Sequence, residues 1–278
     1  MSWKNSVCMA TSSSAGLKIE DYVKKINEPT TSAIDNFYSS TSDILVKLDE
    51  NFFKTHSEYI TGLLFIGLIS ATENYFRDIL GFILSICPIS RANAAEEKIQ
   101  LGSILWAPGN SHGRTAFEFM AFSASENITK TFAKFAGYQV KPNFGWHKSL
   151  PDYDQLCELR HGIVHSGHIL SGKNAIRLKL KPTTNLIKVT VNYKNLQIAG
   201  AVCTNMVQAA NNELFELLVN RWAKEWRADL SWDKTDEQVL FERIWRAFRS
   251  ERDGFNGSIT NPIDSNACLN AVRTEFNL

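Results

Sequence analysis

Six consecutive residues, Arg160-His161-Gly162-Ile163-Val164-His165, hold the side chains in this chain best suited to chemistry. The Arg160 guanidinium stays charged at any physiological pH and meets phosphate oxygens through a planar fork of donors. His165 follows five positions later, and an imidazole takes or gives a proton near neutral pH. Such a pair can move a phosphoryl group without a metal if the substrate brings its own nucleophile. RNA does so, because a hydroxyl neighbours each phosphodiester. His161, directly after the arginine, offers a second proton carrier or a group to orient the phosphate.

The motif ends an amphipathic run, and the spacing predicts a helix over roughly 152–168 that Gly167 and Gly172 stop. On an ideal helix Leu156, Leu159 and Ile163 form an apolar stripe, while Cys157, His161, His165 and His168 share another side. Arg160 and His165 project roughly 140° apart, so the arginine stem has to swing its head toward a cleft flanked by the histidine. Cys157, His161 and His165 also have the four-residue spacing of zinc ligands. Ligands at i, i+4 and i+8 span about 12 Å of rise and cannot all reach one ion. No metal is therefore expected, and with no glycine-rich nucleotide loop no cofactor is expected either.

Composition sets the frame. The 278 residues are 44% hydrophobic with a formal net charge of +1. A substantial core is possible, and a chain-wide basic coat of the nucleic-acid-coating kind is excluded. The five cysteines are widely spaced and include no Cys-x-x-Cys pair, which points to a reducing compartment and a cytoplasmic location. The stretch 59–88 is the most apolar, but Glu73, Arg77 and Asp78 interrupt it, so it is expected to be a buried core helix rather than a membrane span.

The expected fold class is mainly α, with a small β-hairpin inserted after the motif helix. Residues 1–16 are expected to be a flexible tail, 17–230 the main helical domain, and 231–278 a helical extension and tail. The periodicity predicts a short amphipathic helix over 18–27 and further helices over 31–53, 58–86, 92–101, 115–135, 203–226 and 236–252. Loops are expected over 106–113 and 137–151. The hairpin is expected at about 175–199, from the alternation in 175–180 and 186–191 and a third short strand near 196–198.

These residues resemble HEPN domains, the higher-eukaryote and prokaryote nucleotide-binding superfamily. The stretch Leu159–His165 is similar to its Arg-polar-x-x-x-His signature, and Ser70–Asp78 to the long preceding helix. The segment Ile176–Trp226 is similar to the hairpin and helix that often follow in prokaryotic members, so the resemblance spans about 31–225. It implies a bundle that dimerises so that two Arg-His motifs line one cleft. It also implies a metal-independent endoribonuclease of the toxin or anti-phage class, acting on tRNA or mRNA and restrained by an antitoxin or sensor protein. Arg160 and His165 match the two signature positions, and His161 stands where asparagine or aspartate is frequent. The alternative is a non-catalytic module that binds a nucleotide or a partner protein.

Further residues are assigned beside a bland alternative. Glu73 is a candidate to orient Arg160, or else pairs with Arg77 one helical turn on. Arg243 and Arg246, interleaved with Trp245 and Phe248, are candidates to grip RNA, or else form a solvated helix face. Lys179 on the expected hairpin is a candidate RNA contact, or else an edge-strand lysine that discourages aggregation.

Overall fold

A computed structural model describes residues 16–27, 30–106, 112–142, 145–228 and 234–278. The expected tail up to residue 15, the 107–111 part of the expected 106–113 loop and the expected boundary at 230 lie outside the described residues. Residues 1–30 and 31–278 form separate compact units. In the first, the described chain makes a 3-10 turn, Ile19–Tyr22, and buries none of its residues. The helix expected over 18–27 does not form; a helix that short is marginal in water without burial.

The second unit is a helical bundle. Its helices are α1 (Ala33–Leu45), α2 (Glu50–Thr55), α3 (Glu58–Ile86), α4 (Pro88–Ala94), α5 (Leu101–Trp106), α6 (His112–Thr115) and α7 (Ser125–Thr131). There follow α8 (Leu150–His165), α9 (Gly172–Arg177), α10 (Tyr193–Lys224), α11 (Glu237–Phe248), α12 (Glu251–Phe255) and α13 (Ser265–Phe276). The two long helices α3 and α10 pack together, α1 and α8 pack on both, and α11 and α13 pack on α10. Helix α3 is apolar nearly all round and buries Phe65, Leu68, Ile69, Phe76 and Ile79. It stops before Pro88, which cannot continue a helix but starts α4 well. No helix among the described residues is long and apolar enough to cross a membrane.

The expected hairpin is absent. The described residues contain no strand, only an isolated antiparallel bridge between Ile169 and Lys188. The alternating run 186–191 is extended, with Val189 and Val191 buried, but it pairs with the chain just after α8 and not with 175–180. Leu170 N–H donates to Ile187 O (2.9 Å) and Val189 N–H to His168 O (2.7 Å). Residues 175–180 form the end of α9 and the turn after it, because Ser171 caps the amide of Asn174 and nucleates a helical turn. Glu158 of α8 then holds that turn, accepting from the Asn174 amide (2.5 Å) and the Arg177 guanidinium (2.6 Å). Ile176, an inward residue in the alternating pattern, is exposed. The third strand expected near 196–198 is the first turn of α10, which Asn192 caps through the amide of Asn195 (2.8 Å).

Other elements also differ from their periodicity: the helix expected over 31–53 is split into α1 and α2, residues 95–100 of the one expected over 92–101 are not helical, and the one expected from 203 begins at Tyr193. The helix expected over 115–135 is broken, because Arg77 binds the carbonyls of Phe117 (3.1 Å) and Met120 (3.2 Å) and Asp154 fixes the start of α7 by accepting from the Ser125 amide (2.7 Å). The expected C-terminal tail contains α13, started by the Asp264 cap on Ala267 N–H (2.8 Å) and held by burial of Leu269 and Val272. Glu237 of α11 ties it down by pairing with Arg273 (3.2 Å) and also with Arg227.

Candidate functional site

Helix α8 is positioned at both ends. Near its start, the Tyr153 hydroxyl donates to Phe122 O (3.1 Å) and the Asp154 carboxylate takes the Ser125 amide and hydroxyl (2.7 and 2.5 Å). At its end, the N–H groups of Ser166 and His168 both reach back to Gly162 O (3.3 and 3.1 Å). The chain reverses there through Gly167 and His168, both in the left-handed region (φ 57° and 71°). A histidine in that conformation is unusual and is kept by its surroundings. His168 is buried, its Nδ1 faces Val189 O (3.4 Å), and its ring presses on Gly62 of α3.

The helix therefore ends three residues earlier than its periodicity predicts, and the expected four-residue face comes apart. His161 and His165 are exposed, with ring centres 4.6 Å apart at 49°. Cys157 is buried, and burial pushes its thiol well above the usual range. Burial also raises Cys203 to about 11. Both stay neutral thiols at physiological pH, so neither is a ready nucleophile or metal ligand. His168 belongs to the packing of the helix end. No group of three or more His, Cys, Asp or Glu among the described residues is placed to hold a metal.

Arg160 points to the side of the helix that packs on α3. It is half-buried; its Nε is cut off from solvent and has no hydrogen-bond partner. Its guanidinium makes no ion pair or hydrogen bond among the described residues. Glu73, on the facing side of α3, is in the same condition, with Oε1 buried and unpartnered. Burial raises the Glu73 carboxyl above the usual range, and Arg160 is the leading charge that counters this, ahead of Arg77. Arg77 is bound instead to the two carbonyls and to Asn74 Oδ1 (2.9 Å). Glu158, the acid on the same side of α8 as the imidazoles, is held by Asn174 and Arg177. The exposed end of α8 thus carries the adjacent His161 and His165 imidazoles with no carboxylate bonded to them among the described residues, while the Arg160 head lies on the side facing Glu73.

The residues assigned to RNA contact do not gather here as a group. Lys179 is exposed in the turn after α9, at φ 56°, and α9 packs on α8. Arg243 and Arg246 are exposed on α11, which packs on α10, α13 and α1, and Arg246 pairs with Glu242 (2.5 Å). Apolar side chains also reach solvent near the motif: Val164 of α8 at 42% exposure, and Leu63 (47%) and Tyr59 (65%) beside Gly62 of α3, which meets Ile163 and His168. The role of His168 escaped the periodicity; its only signal was Gly167, a helix-ending glycine placed before it. No family model, curated protein or solved structure matches the chain.

Proposed function

We propose that the chain is a metal-independent endoribonuclease of the HEPN type, acting as a toxin or anti-phage effector and working as a homodimer. The observation that carries this is the Arg160 guanidinium, which makes no hydrogen bond among the described residues, on the same helix end as the exposed imidazoles of His161 and His165. Glu73 lies near enough to act on the Arg160 charge but makes no hydrogen bond to it, so the donors of the half-buried guanidinium are left for a ligand to satisfy. A phosphodiester fits that need and fits the fork.

In the proposed reaction the ribose 2′-oxygen attacks phosphorus, the phosphorus bond to the 5′-oxygen breaks, and a 2′,3′-cyclic phosphate forms. One imidazole removes the 2′-hydroxyl proton and another protonates the departing 5′-oxygen. Arg160 holds the non-bridging oxygens as charge builds on them. The attacking and leaving oxygens lie on opposite sides of phosphorus, whereas His161 and His165 stand one turn apart on one helix and reach it from one side. A second copy across a twofold axis supplies the opposite side. The exposed Val164, Leu63 and Tyr59 are the surface proposed to bring the copies together.

The test is incubation of purified protein with total RNA or tRNA in excess EDTA. The expected result is cleavage to 2′,3′-cyclic phosphate and 5′-hydroxyl ends, with no cutting of the same sequence as DNA. Cleavage that EDTA abolishes, or that Arg160→Ala leaves unchanged, overturns the proposal.

A further inference from the structure

The C-terminal helices line an open cleft of about 570 Å³, formed from α1 and α10 through α13 and not from α8. Pockets of this size that mix aromatic walls with a few polar groups are typical of small-molecule sites. Here Phe215 of α10 and Trp245 and Phe248 of α11 supply aromatic side chains to the lining, with the Phe215 and Phe248 rings packed together at 5.8 Å. Arg249 stands directly after α11, with its guanidinium 5.5 Å from the centre of the Trp245 ring. Behind it lies Gly254, where an added Cβ would come 2.5 Å from a terminal nitrogen of the guanidinium. The arginine head is thus held between a ring and a backbone.

Arg249 has no ion pair among the described residues, and the acids on the neighbouring segments are engaged elsewhere. Asp253, in the same wall, accepts from the Tyr38 hydroxyl (2.9 Å). Asp35 accepts from the Ser250 hydroxyl (2.7 Å) and the Glu251 amide (2.8 Å). The deeper polar groups are also committed: Asn211 accepts from Tyr75 (3.3 Å) and donates to Phe248 O (2.8 Å), and Gln208 donates to Tyr38 (2.7 Å). The base of the cleft is therefore fixed by its own bonds. At the rim, the side-chain amides of Asn212 and Asn261 make no hydrogen bond among the described residues.

We propose that this cleft binds a small planar aromatic or heteroaromatic anion, whose ring lies against Trp245 and Phe215 and whose carboxylate or phosphate engages Arg249. An oxyanion gives the guanidinium the charge that the chain withholds. The ring displaces water from the aromatic walls, and the two rim amides meet its edge. This assignment is independent of the chemistry proposed for α8.

Cys268 lines the same cleft and is half-buried, whereas Cys87, Cys157 and Cys203 are buried, so its alkylation reports occupancy. The experiment uses the full chain with iodoacetamide and follows Cys268 by peptide mass spectrometry. The probes are indole-3-acetate and adenosine 5′-monophosphate, with indole, adenosine and inorganic phosphate as partial probes. At about 5 mM, where a millimolar binder is mostly bound, one or both ring-bearing anions slow alkylation about fivefold or more and the partial probes do not. Protection by indole-3-acetate identifies a carboxylate ligand, and protection by the nucleotide a phosphate ligand. By calorimetry, Arg249→Gln weakens the protecting probe about tenfold or more. Absence of protection by both anions overturns the proposal on the wild-type protein alone. Equal protection by the neutral ring, or unchanged affinity in a folded Arg249→Gln protein, overturns it as well.

Discussion

Arg160 and Glu73 face each other across two packed helices, each with a buried polar atom that no described residue satisfies. Such a pair is expected at a site that a ligand completes. Arg160→Ala is expected to lower RNA cleavage by about a hundredfold or more, as loss of a donor to a charged transition state does. His165→Ala is expected to cost about 10²- to 10⁴-fold, the range of a lost proton carrier. Single-turnover cleavage of a labelled RNA measures both, and His161→Ala in the same assay decides whether that ring is a second proton carrier. Glu73 makes a separate prediction in pH. Its carboxyl is raised by burial, so between the unfolded and folded pKa values the folded state holds the extra proton. Stability is then lost as pH rises through that window, and the cost is absent below the usual glutamate range. Glu73→Gln is expected to remove this slope and to raise Tm at neutral pH but not at acid pH, as read by thermal unfolding across pH. An identical pH dependence in both proteins would show that the carboxyl is not strained.

At the level of elements, the motif helix owes its position to contacts made by neighbouring segments. Gly62 of α3 admits the His168 ring, and Gly162 of α8 admits Leu170, whose Cδ2 would lie 2.9 Å from an added Cβ. The Leu170 methyl is the end of a mobile side chain, and the His168 ring is hemmed in by α3 and Val189. Gly62→Ala is therefore expected to destabilise by about 1–3 kcal/mol through overpacking. Gly162→Ala is expected to be near neutral, since about 1 kcal/mol of helix propensity offsets a small clash. Urea unfolding of the two variants tests the ranking, and a Gly62→Ala/His168→Ala double variant should cost less than the sum. The same elements show where periodicity misleads. Alternation in 175–180 reads as a strand, but the Ser171 cap and the Glu158 contacts convert it to a helical turn. The extended run 186–191 was legible as extended because its alternate residues are buried; its partner was not, since pairing is a tertiary choice.

For the whole molecule, the association surface is the prediction with the widest reach. Leu63 is 47% exposed and so contributes little to the fold of one copy. Leu63→Glu is expected to leave the fold of each copy intact by circular dichroism, while shifting the protein to a monomer by analytical ultracentrifugation and lowering Tm only by the part that association contributes. If the active centre is shared across a twofold axis, cleavage falls with the dimer population. A monomeric variant that cleaves RNA at the wild-type rate would show that one copy suffices.

By itself the sequence determined that most of the chain is helical, that α3 is a core helix, and that arginine and histidine stand near the end of an amphipathic helix. These follow from local periodicity and residue type, which act along the chain. The tertiary structure alone decided that Arg160 turns toward Glu73 while both imidazoles reach solvent, and that the α8 end is closed by a buried His168. It also decided that the C-terminal segment builds a cleft around Arg249. Each depends on which distant residues satisfy or leave unsatisfied a given charge, and no spacing along the chain encodes that.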